Sequence, residues 1–174
     1  VGVDKPRSGV RPTWDVLKIY ELNFGVGSAL ELDLAFGHAA MAKLRTLGPF
    51  TVCQISSPCQ EFRPGRQEKE LAELFFTASW IAVQLRIPIV IHEQVPAVLR
   101  SGGVWPRVRQ LWQAEQVAWT VLLPNASQAG VPQNRTRAFI VAMMRSEPNV
   151  RWLEQRLSEL QARVAGWSEA PPRE

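Results

Sequence analysis

The segment from residue 50 to residue 95 constrains the fold most, because it places one helix pattern between two strand patterns. The run FTVCQISS is rich in β-forming residues and stops at Pro58, while PIVIHEQV is a nearly continuous apolar strand. Between them, apolar residues at helical spacing define one buried face: Leu71, Leu74, Phe75, Ala78, Ile81, Ala82 and Leu85. A strand, a crossover helix and a second strand predict an α/β fold with helices on the faces of a parallel sheet.

The same alternation continues towards the C-terminus. The pattern predicts a helix in VWPRVRQLWQAEQ, strands in AWTVLLPNAS and AFIVAMM, and a final helix in NVRWLEQRLSELQARVAGW. Before residue 50 the pattern is weaker. There VGVD reads as a short strand, VLKIYELNF could be a strand, and ALELDLAFGHAAMAKLRTLG is largely helical in composition.

Composition narrows the class of protein. A chain of 174 residues, 46% of them hydrophobic, suits one domain with a substantial core, and no apolar run approaches the roughly 20 residues that cross a bilayer. The only cysteines, Cys53 and Cys59, cannot form a disulfide framework and have no zinc-binding spacing, which favours reduced thiols in a reducing intracellular compartment. The net charge of +4 weakly favours a polyanionic partner.

Residues that follow the strands of an open α/β sheet form its sites, because the carboxyl ends of the strands meet at one edge. A free thiol is only a few per cent ionised at neutral pH and needs cationic or amide neighbours to react. The predicted strand ends carry a thiol, a carboxyl group and two guanidinium groups, the set that nucleophilic attack on a polarised nitrogen heterocycle requires. The candidates are Pro58, Cys59, Gln60, Glu93, Gln133, Arg135 and Arg137.

Three sequence blocks carry a resemblance to a known family. The blocks are PCQEF after the first of the two strands, HEQVPAVL at the end of the second, and GVPQNRTRAFIVA, a loop that leads into the strand AFIVAMM. They occur in this order. They resemble the PCQ-x-F-S, ENV-P-G-L and Q-x-R-x-R blocks of the DNA cytosine-5 methyltransferases, and the resemblance runs roughly from Phe50 to Met144. It implies a Rossmann-like, S-adenosylmethionine-dependent methyltransferase fold with a mostly parallel sheet, incomplete at the N-terminal cofactor-loop end. The expected organisation is a methyltransferase-like α/β domain over residues 1–149, a C-terminal helix over 150–167 and a polar tail over 168–174.

The resemblance also implies roles for the candidate residues. Cys59 would add to C6 of a cytosine flipped out of DNA, with Pro58 and Gln60 as its neighbours in the substrate-binding loop. Glu93 would protonate or hydrogen-bond N3 of the base. Arg137 would hold the base and the carboxyl group, and Arg135 with Gln133 would organise the loop and nearby phosphate.

For the cofactor, the resemblance implies that Asp4 takes the ribose hydroxyls of S-adenosylmethionine and that Asp33 and Leu34 contact the adenine. The family's Phe-x-Gly-x-Gly loop, which follows its first strand, would then lie upstream of Val1. Alternatively, a second chain would supply the glycine loop or target recognition. An alternative placement assigns this loop to NFGVGS, whose Phe24, Gly25 and Gly27 imitate it.

Two departures from the family pattern keep other functions open. Gln94 stands where the family has asparagine, so this loop is expected to be slack, and Arg63 stands where the family has serine. A methyltransferase-derived domain that has lost catalysis and acts as a structural or interaction subunit is the alternative hypothesis. A third is methylation of RNA or of a free nucleotide by the same chemistry. His92 is expected to be structural.

Overall fold

The computed structural model describes residues 2–4, 16–62, 70–145 and 150–167. The chain divides into two compact units, Val1–Leu47 and Gly48–Glu174, which are described separately below. Arg63 and the tail over residues 168–174 lie outside the described residues. None of the helices that the structure describes is both long enough and apolar enough to span a membrane.

The first unit contains two short parallel strands and two helices. Strand β1 (Gly2–Asp4) pairs with β2 (Ala29–Glu31), and helix α1 (Val16–Phe24) lies between them in the chain. A 3₁₀ turn and helix α2 (Gly37–Arg45) follow β2. β1, α1 and β2 therefore form one strand, helix and strand unit.

One expectation for the first unit is wrong, and a second holds for most of its segment but not for its start. VLKIYELNF forms α1 and not a strand: its half-buried residues Leu17, Tyr20 and Glu21 are three and four positions apart, which is the spacing of one helix face. ALELDLAFGHAAMAKLRTLG is only partly helical, because its first three residues form β2 beside β1. Short segments of this kind are decided by the partner strand more than by their own composition.

The second unit is built on a four-stranded sheet. Strands β3 (Val52–Ile55), β4 (Ile89–Gln94), β5 (Val117–Leu122) and β6 (Ala138–Met144) lie in the order β3-β4-β6-β5. Helix α3 (Glu70–Gln84) connects β3 to β4, and helix α4 (Val104–Ala114) connects β4 to β5. Helix α5 (Val150–Trp167) follows β6.

The predicted α/β class is confirmed, and one of the four strands of this sheet runs against the other three. β3 and β4 are parallel, whereas β6 is antiparallel to both β4 and β5. A parallel pair needs a long crossover, usually a helix, and an antiparallel pair does not. The connection over residues 123–137 contains only a short 3₁₀ turn, Ala126–Ala129, so β6 turns back beside β5. The sheet of this unit is mixed.

Helices cover both faces of this sheet. Neighbouring side chains of a strand point to opposite faces: Trp119 of β5 packs edge-on against Trp105 of α4, and Thr120 hydrogen-bonds Gln161 of α5 at 3.4 Å. The core between the sheet and α3 and α4 is apolar and aromatic. Its fully buried members include Phe75, Val98, Val108, Trp112 and Ile140.

Candidate active site

Three segments of the second unit meet at one edge of its sheet, here called the carboxyl edge. β3 and β4 both end there, and Ile55 pairs with His92 in the last described step of their ladder. Because β6 is antiparallel, its first residue, Ala138, lies opposite Gln94 at the end of β4. The antiparallel direction of β6 therefore brings Arg137, the residue before it, to the carboxyl edge.

Glu93 has hydrogen-bonding partners on two different segments. Arg137 Nε lies 2.7 Å from Glu93 Oε1, and the Ser56 hydroxyl donates to Glu93 Oε2 at 2.8 Å. The side chains of Glu93 and Arg137 are 26% and 23% exposed, so the pair is half-buried and remains accessible from solvent. The structure thus brings together Glu93 and Arg137, and adds a serine that the sequence patterns did not single out.

Gln94 connects β4 to the segment Ser56–Phe62, here called the Cys59 loop. Its side chain is 1% exposed, and its Nε2 donates to the carbonyl oxygen of Ser57 at 2.6 Å and to the Ser57 hydroxyl at 2.9 Å. Its Oε1 accepts from the Val95 amide at 3.3 Å. The expectation of a slack loop is wrong, since the longer side chain of glutamine makes the connection and is fully buried.

Cys59 follows Pro58 directly and is half-buried against the core. The next residues form a 3₁₀ turn, Gln60–Phe62, in which the Phe62 amide donates to the Cys59 carbonyl oxygen at 3.2 Å. Phe62 is buried and packs edge-on against Phe75, which anchors the far side of the Cys59 loop. Pro58 is half-buried and Gln60 is exposed. The Cys59 backbone is held on both sides.

The two cysteines have different surroundings. Cys53 lies within β3, and burial raises the pKa of its thiol above the ordinary value, so less of it is thiolate at neutral pH. Cys59 lies beyond the strand, three residues after Ser56, in the loop that reaches Glu93 and Gln94. Both are free thiols.

The loop that carries Arg137 is held by Asn125. Asn125 Nδ2 donates to Asn134 Oδ1 at 2.8 Å and to Thr136 Oγ1 at 2.9 Å. The amide of Arg137 donates to the Pro124 carbonyl oxygen at 3.1 Å. These bonds position Arg137, whereas the side chains of Arg135 and Gln133 are exposed to solvent.

Sequence reasoning missed Ser56 and Asn125. The available signals were two serines at the end of a predicted strand and a polar residue that caps the next turn; in the structure Asn125 forms a capping box with Gln128. His92, which was expected to be structural, bonds a side chain of the core. It is fully buried, with Nε2 3.2 Å from Ser79 Oγ and its ring 4.7 Å from that of Phe75. Burial lowers its pKa to about 3.

The residues expected at the cofactor lie in the first unit. Asp33 follows β2, is half-buried, and accepts from the Ala35 amide at 2.9 Å, so it caps the turn Leu34–Phe36. Asp4 is the last residue of β1, opposite Glu31 in the parallel ladder. Asp33 lies two residues beyond β2, where a carboxylate suits the hydroxyl and amine donors of an adenosine group.

The alternative placement of the glycine loop is wrong. Phe24 is the last residue of α1, and Gly25 and Gly27, with φ angles of 96° and 78°, form the turn from α1 into β2. A cofactor loop of the expected type follows a strand and opens a helix, whereas this turn ends a helix and leads into a strand. Its glycines serve the left-handed backbone of the turn.

An α/β sheet with helices on both faces, and a carboxyl–guanidinium pair beside a thiol-bearing loop, define an α/β domain with a candidate active site at the carboxyl ends of its strands. The family model of the C-5 cytosine-specific DNA methylases matches residues 14–169, and the chain belongs to this family. The Type II methyltransferase M.HindV of Haemophilus influenzae is 26% identical over 152 residues, which are 84% of this chain and 49% of that protein. The chain therefore spans about half the length of the curated relative it matches.

Solved structures share the fold. A mutant form of DNMT2 from Spodoptera frugiperda superposes with a TM-score of 0.60 at 19% identity, over 84% of this chain and 43% of that one. The Dnmt2 methyltransferase of S. pombe superposes with a TM-score of 0.59 at 17% identity, over 75% of this chain and 39% of that one. These likenesses confirm the Rossmann-like fold.

Proposed function

We propose that this chain carries the catalytic residues of a DNA cytosine-5 methyltransferase, which transfers a methyl group to C5 of a flipped-out cytosine through a covalent adduct on Cys59. The observation that carries the proposal is the Glu93–Arg137 contact at 2.7 Å, between residues 44 positions apart in the sequence, at the edge where the Cys59 loop begins. Membership of the family supports the same reaction.

The substrate base is proposed to leave the duplex before it reacts. C6 of a stacked cytosine is shielded by its neighbours, and enzymes that act on bases in DNA bring the target nucleotide into a pocket of the protein. A half-buried carboxyl group suits such a pocket, because it can hydrogen-bond the Watson–Crick edge of the cytosine once flipping has broken its pair with guanine. Glu93 is the proposed partner of N3.

The thiolate of Cys59 would form the first bond. Its lone pair makes the S–C6 bond, and the electrons of the C5–C6 double bond shift towards C5 as N3 takes a proton from Glu93. This step turns C5 into a nucleophile. When bound, S-adenosylmethionine supplies a methyl group as an electrophile and keeps the electron pair of the broken S–C bond.

The same residues would complete the cycle. Water takes the proton from C5 while the S–C6 bond breaks, which restores the C5–C6 double bond, releases the Cys59 thiolate and returns the N3 proton to Glu93. Arg137 would keep Glu93 Oε1 in place throughout, because its guanidinium group is a hydrogen-bond donor to that oxygen in every step.

S-adenosylmethionine and DNA are the proposed ligands. Asp4 would accept from the ribose hydroxyls, and Asp33 with Leu34 would contact the adenine. The exposed side chains of Arg135 and Gln133 would contact phosphate near the flipped nucleotide, and the charge of +4 favours this partner. Nothing in the family match calls for a second protein chain.

The test is a covalent trap. The complete gene product that contains this chain is incubated with S-adenosylmethionine and with duplex DNA that contains 5-fluorocytosine. This base carries fluorine in place of the C5 proton whose removal releases the adduct, so the adduct is trapped. We expect an adduct that survives denaturing electrophoresis and maps to the peptide with Cys59. Cys59→Ser should abolish it, and Cys53→Ser, the matched control within β3, should form it at the wild-type rate.

The outcomes separate the hypotheses. Absence of an adduct on duplex DNA, single-stranded DNA and RNA would favour the catalytically inactive alternative. An adduct on RNA alone would favour RNA as the substrate. An adduct that persists in Cys59→Ser would contradict the proposed nucleophile.

A further inference from the structure

The Cys59 loop begins with two adjacent serines directly after β3. Each of them contacts a different residue at the end of β4. Ser56 donates its hydroxyl to Glu93 Oε2 at 2.8 Å. Ser57 accepts from Gln94 Nε2 at its carbonyl oxygen and at its hydroxyl. The Gln94 contact joins the two segments, whereas the Ser56 contact falls on the carboxyl group proposed to act on the base.

The Glu93 carboxyl group needs two partners to have one orientation. The last torsion of a glutamate side chain is broad, and one contact at Oε1 leaves the plane of the carboxyl group free to turn about it. Arg137 Nε occupies Oε1 and Ser56 occupies Oε2, so the two contacts together fix the plane. Ser56 supplies the contact that the guanidinium group does not.

A hydroxyl group suits this position because it can serve both protonation states of a carboxyl group. It donates to an ionised oxygen and accepts from a protonated one, whereas an ammonium or guanidinium group can only donate. The contact can therefore persist while Glu93 gives a proton to the base and takes it back. Ser56 is exposed, so its hydroxyl is also in reach of solvent.

We propose that Ser56 is a positioning residue for Glu93, holding Oε2 while Arg137 holds Oε1, so that the carboxyl group presents a fixed direction to N3 of the base. The inference rests on the proposed function for its catalytic consequence. Its structural part, the hydroxyl–carboxyl contact, can be measured without any reaction.

The first arm measures the rate of adduct formation with the 5-fluorocytosine duplex. We expect Ser56→Ala to slow the adduct about tenfold, the effect of one lost hydrogen bond to a charged group, with DNA affinity unchanged. Ser56→Thr keeps the hydroxyl and should restore the rate to within about twofold. Ser158→Ala, which removes a hydroxyl that bonds the Glu154 carbonyl oxygen on α5, is the matched control and should match wild type.

The second arm follows the carboxyl carbon resonance of Glu93 by ¹³C NMR, assigned by its loss in Glu93→Gln. We expect it to move by more than its line width in Ser56→Ala and to return towards the wild-type position in Ser56→Thr. Ser158→Ala should leave it in place.

The two arms separate the failure of this inference from the failure of the proposed function. If the wild-type protein forms the adduct and Ser56→Ala forms it equally fast, the positioning role of Ser56 is overturned. If the wild-type protein forms no adduct, the proposed function fails, and the NMR arm then tests the role of Ser56. A Glu93 resonance that moves in Ser56→Ala and not in Ser158→Ala supports Ser56 as the residue that orients Glu93. A resonance that does not move in Ser56→Ala overturns that role.

Discussion

Glu93 and Arg137 contact each other in a place where an ion pair contributes little to folding. Their side chains are about a quarter exposed, and such pairs stabilise a protein by only about 0.5–1 kcal/mol after solvent screening. Holding one carboxyl oxygen in place has larger consequences for a reaction, since loss of one preorganised donor typically slows catalysis by 10²–10³-fold. Residues of this kind affect rate more than stability.

Arg137→Ala therefore should slow adduct formation by about 100-fold or more, because Glu93 Oε1 loses its charged donor. The melting temperature should fall by no more than about 4 °C, which corresponds to about 1 kcal/mol in a chain of this size. Arg107→Ala is the matched control: it breaks the pair with Glu73 at 2.5 Å between α4 and α3, and should leave the adduct rate at the wild-type value.

His92 makes the second unit sensitive to acid. Its pKa is about 3 in the folded protein, because burial penalises the charged ring, against an ordinary value of 6.5 in the unfolded chain. Below pH 6.5 the unfolded chain binds a proton that the folded one does not, so stability falls as pH drops from 6.5 towards 3. The loss is about 1.4 kcal/mol per pH unit.

Urea unfolding at pH 7 and pH 4.5 checks this dependence. Between these values wild type should lose about 2–3 kcal/mol more than His92→Phe, in which the imidazole is absent and the carboxyl groups still titrate. Ser79 also donates to the Phe75 carbonyl oxygen at 2.8 Å, a bond that does not involve His92, so its hydroxyl is expected to stay paired in the variant. Equal losses in the two proteins would contradict the assigned role of His92.

The sequence allowed the thiol, carboxyl and guanidinium groups to be predicted as candidates, because their blocks follow recognisable strands. It did not allow Ser56 or Asn125 to be predicted. Their hydrogen bonds run to residues 37 and up to 11 positions away, and depend on which strands pair and in what register. Nor did it show that Gln94 would span the gap to Ser57, because that reach depends on the distance between two loops.

At the scale of elements, long periodic segments were predicted well and short ones were not. α3 and β4 match their patterns, since burial on one helix face or in a central strand dictates the residues. The segment of α1 is nine residues long and has both apolar and polar residues on each candidate face, so its pattern fits either structure. The direction of β6 followed from the connection before it and not from its own residues.

The connection between β4 and the Cys59 loop gives a prediction at this scale. Gln94→Asn introduces the family's residue but shortens the side chain by one methylene, so the amide no longer reaches both acceptors on Ser57. Leaving buried polar groups unpaired costs about 1–3 kcal/mol, which lowers the melting temperature by roughly 2–12 °C.

Thermal unfolding monitored by circular dichroism measures this effect. Gln110→Asn, the same shortening in the exposed part of α4, is the matched control and should shift the melting temperature by less than about 2 °C. A Gln94→Asn protein as stable as wild type would show that the loops adjust to the shorter side chain.

At the scale of the whole molecule, the two units divide the proposed work. Gly48–Glu174 carries the thiol, carboxyl and guanidinium groups, and Val1–Leu47 carries the acidic residues proposed for the cofactor. The chain spans 49% of its Haemophilus relative, so the complete gene product is the proper subject for any test of methyl transfer.

The methylated base itself gives the most direct test of methyl transfer by this protein. The gene product is incubated with duplex DNA and S-adenosylmethionine labelled in its methyl group, and the DNA is hydrolysed to nucleosides and analysed by mass spectrometry. We expect labelled 5-methylcytosine with the wild-type protein, reduced at least 100-fold in both Cys59→Ser and Glu93→Gln. Unlabelled cytosine with the wild-type protein, or undiminished product in either variant, would contradict the proposed function.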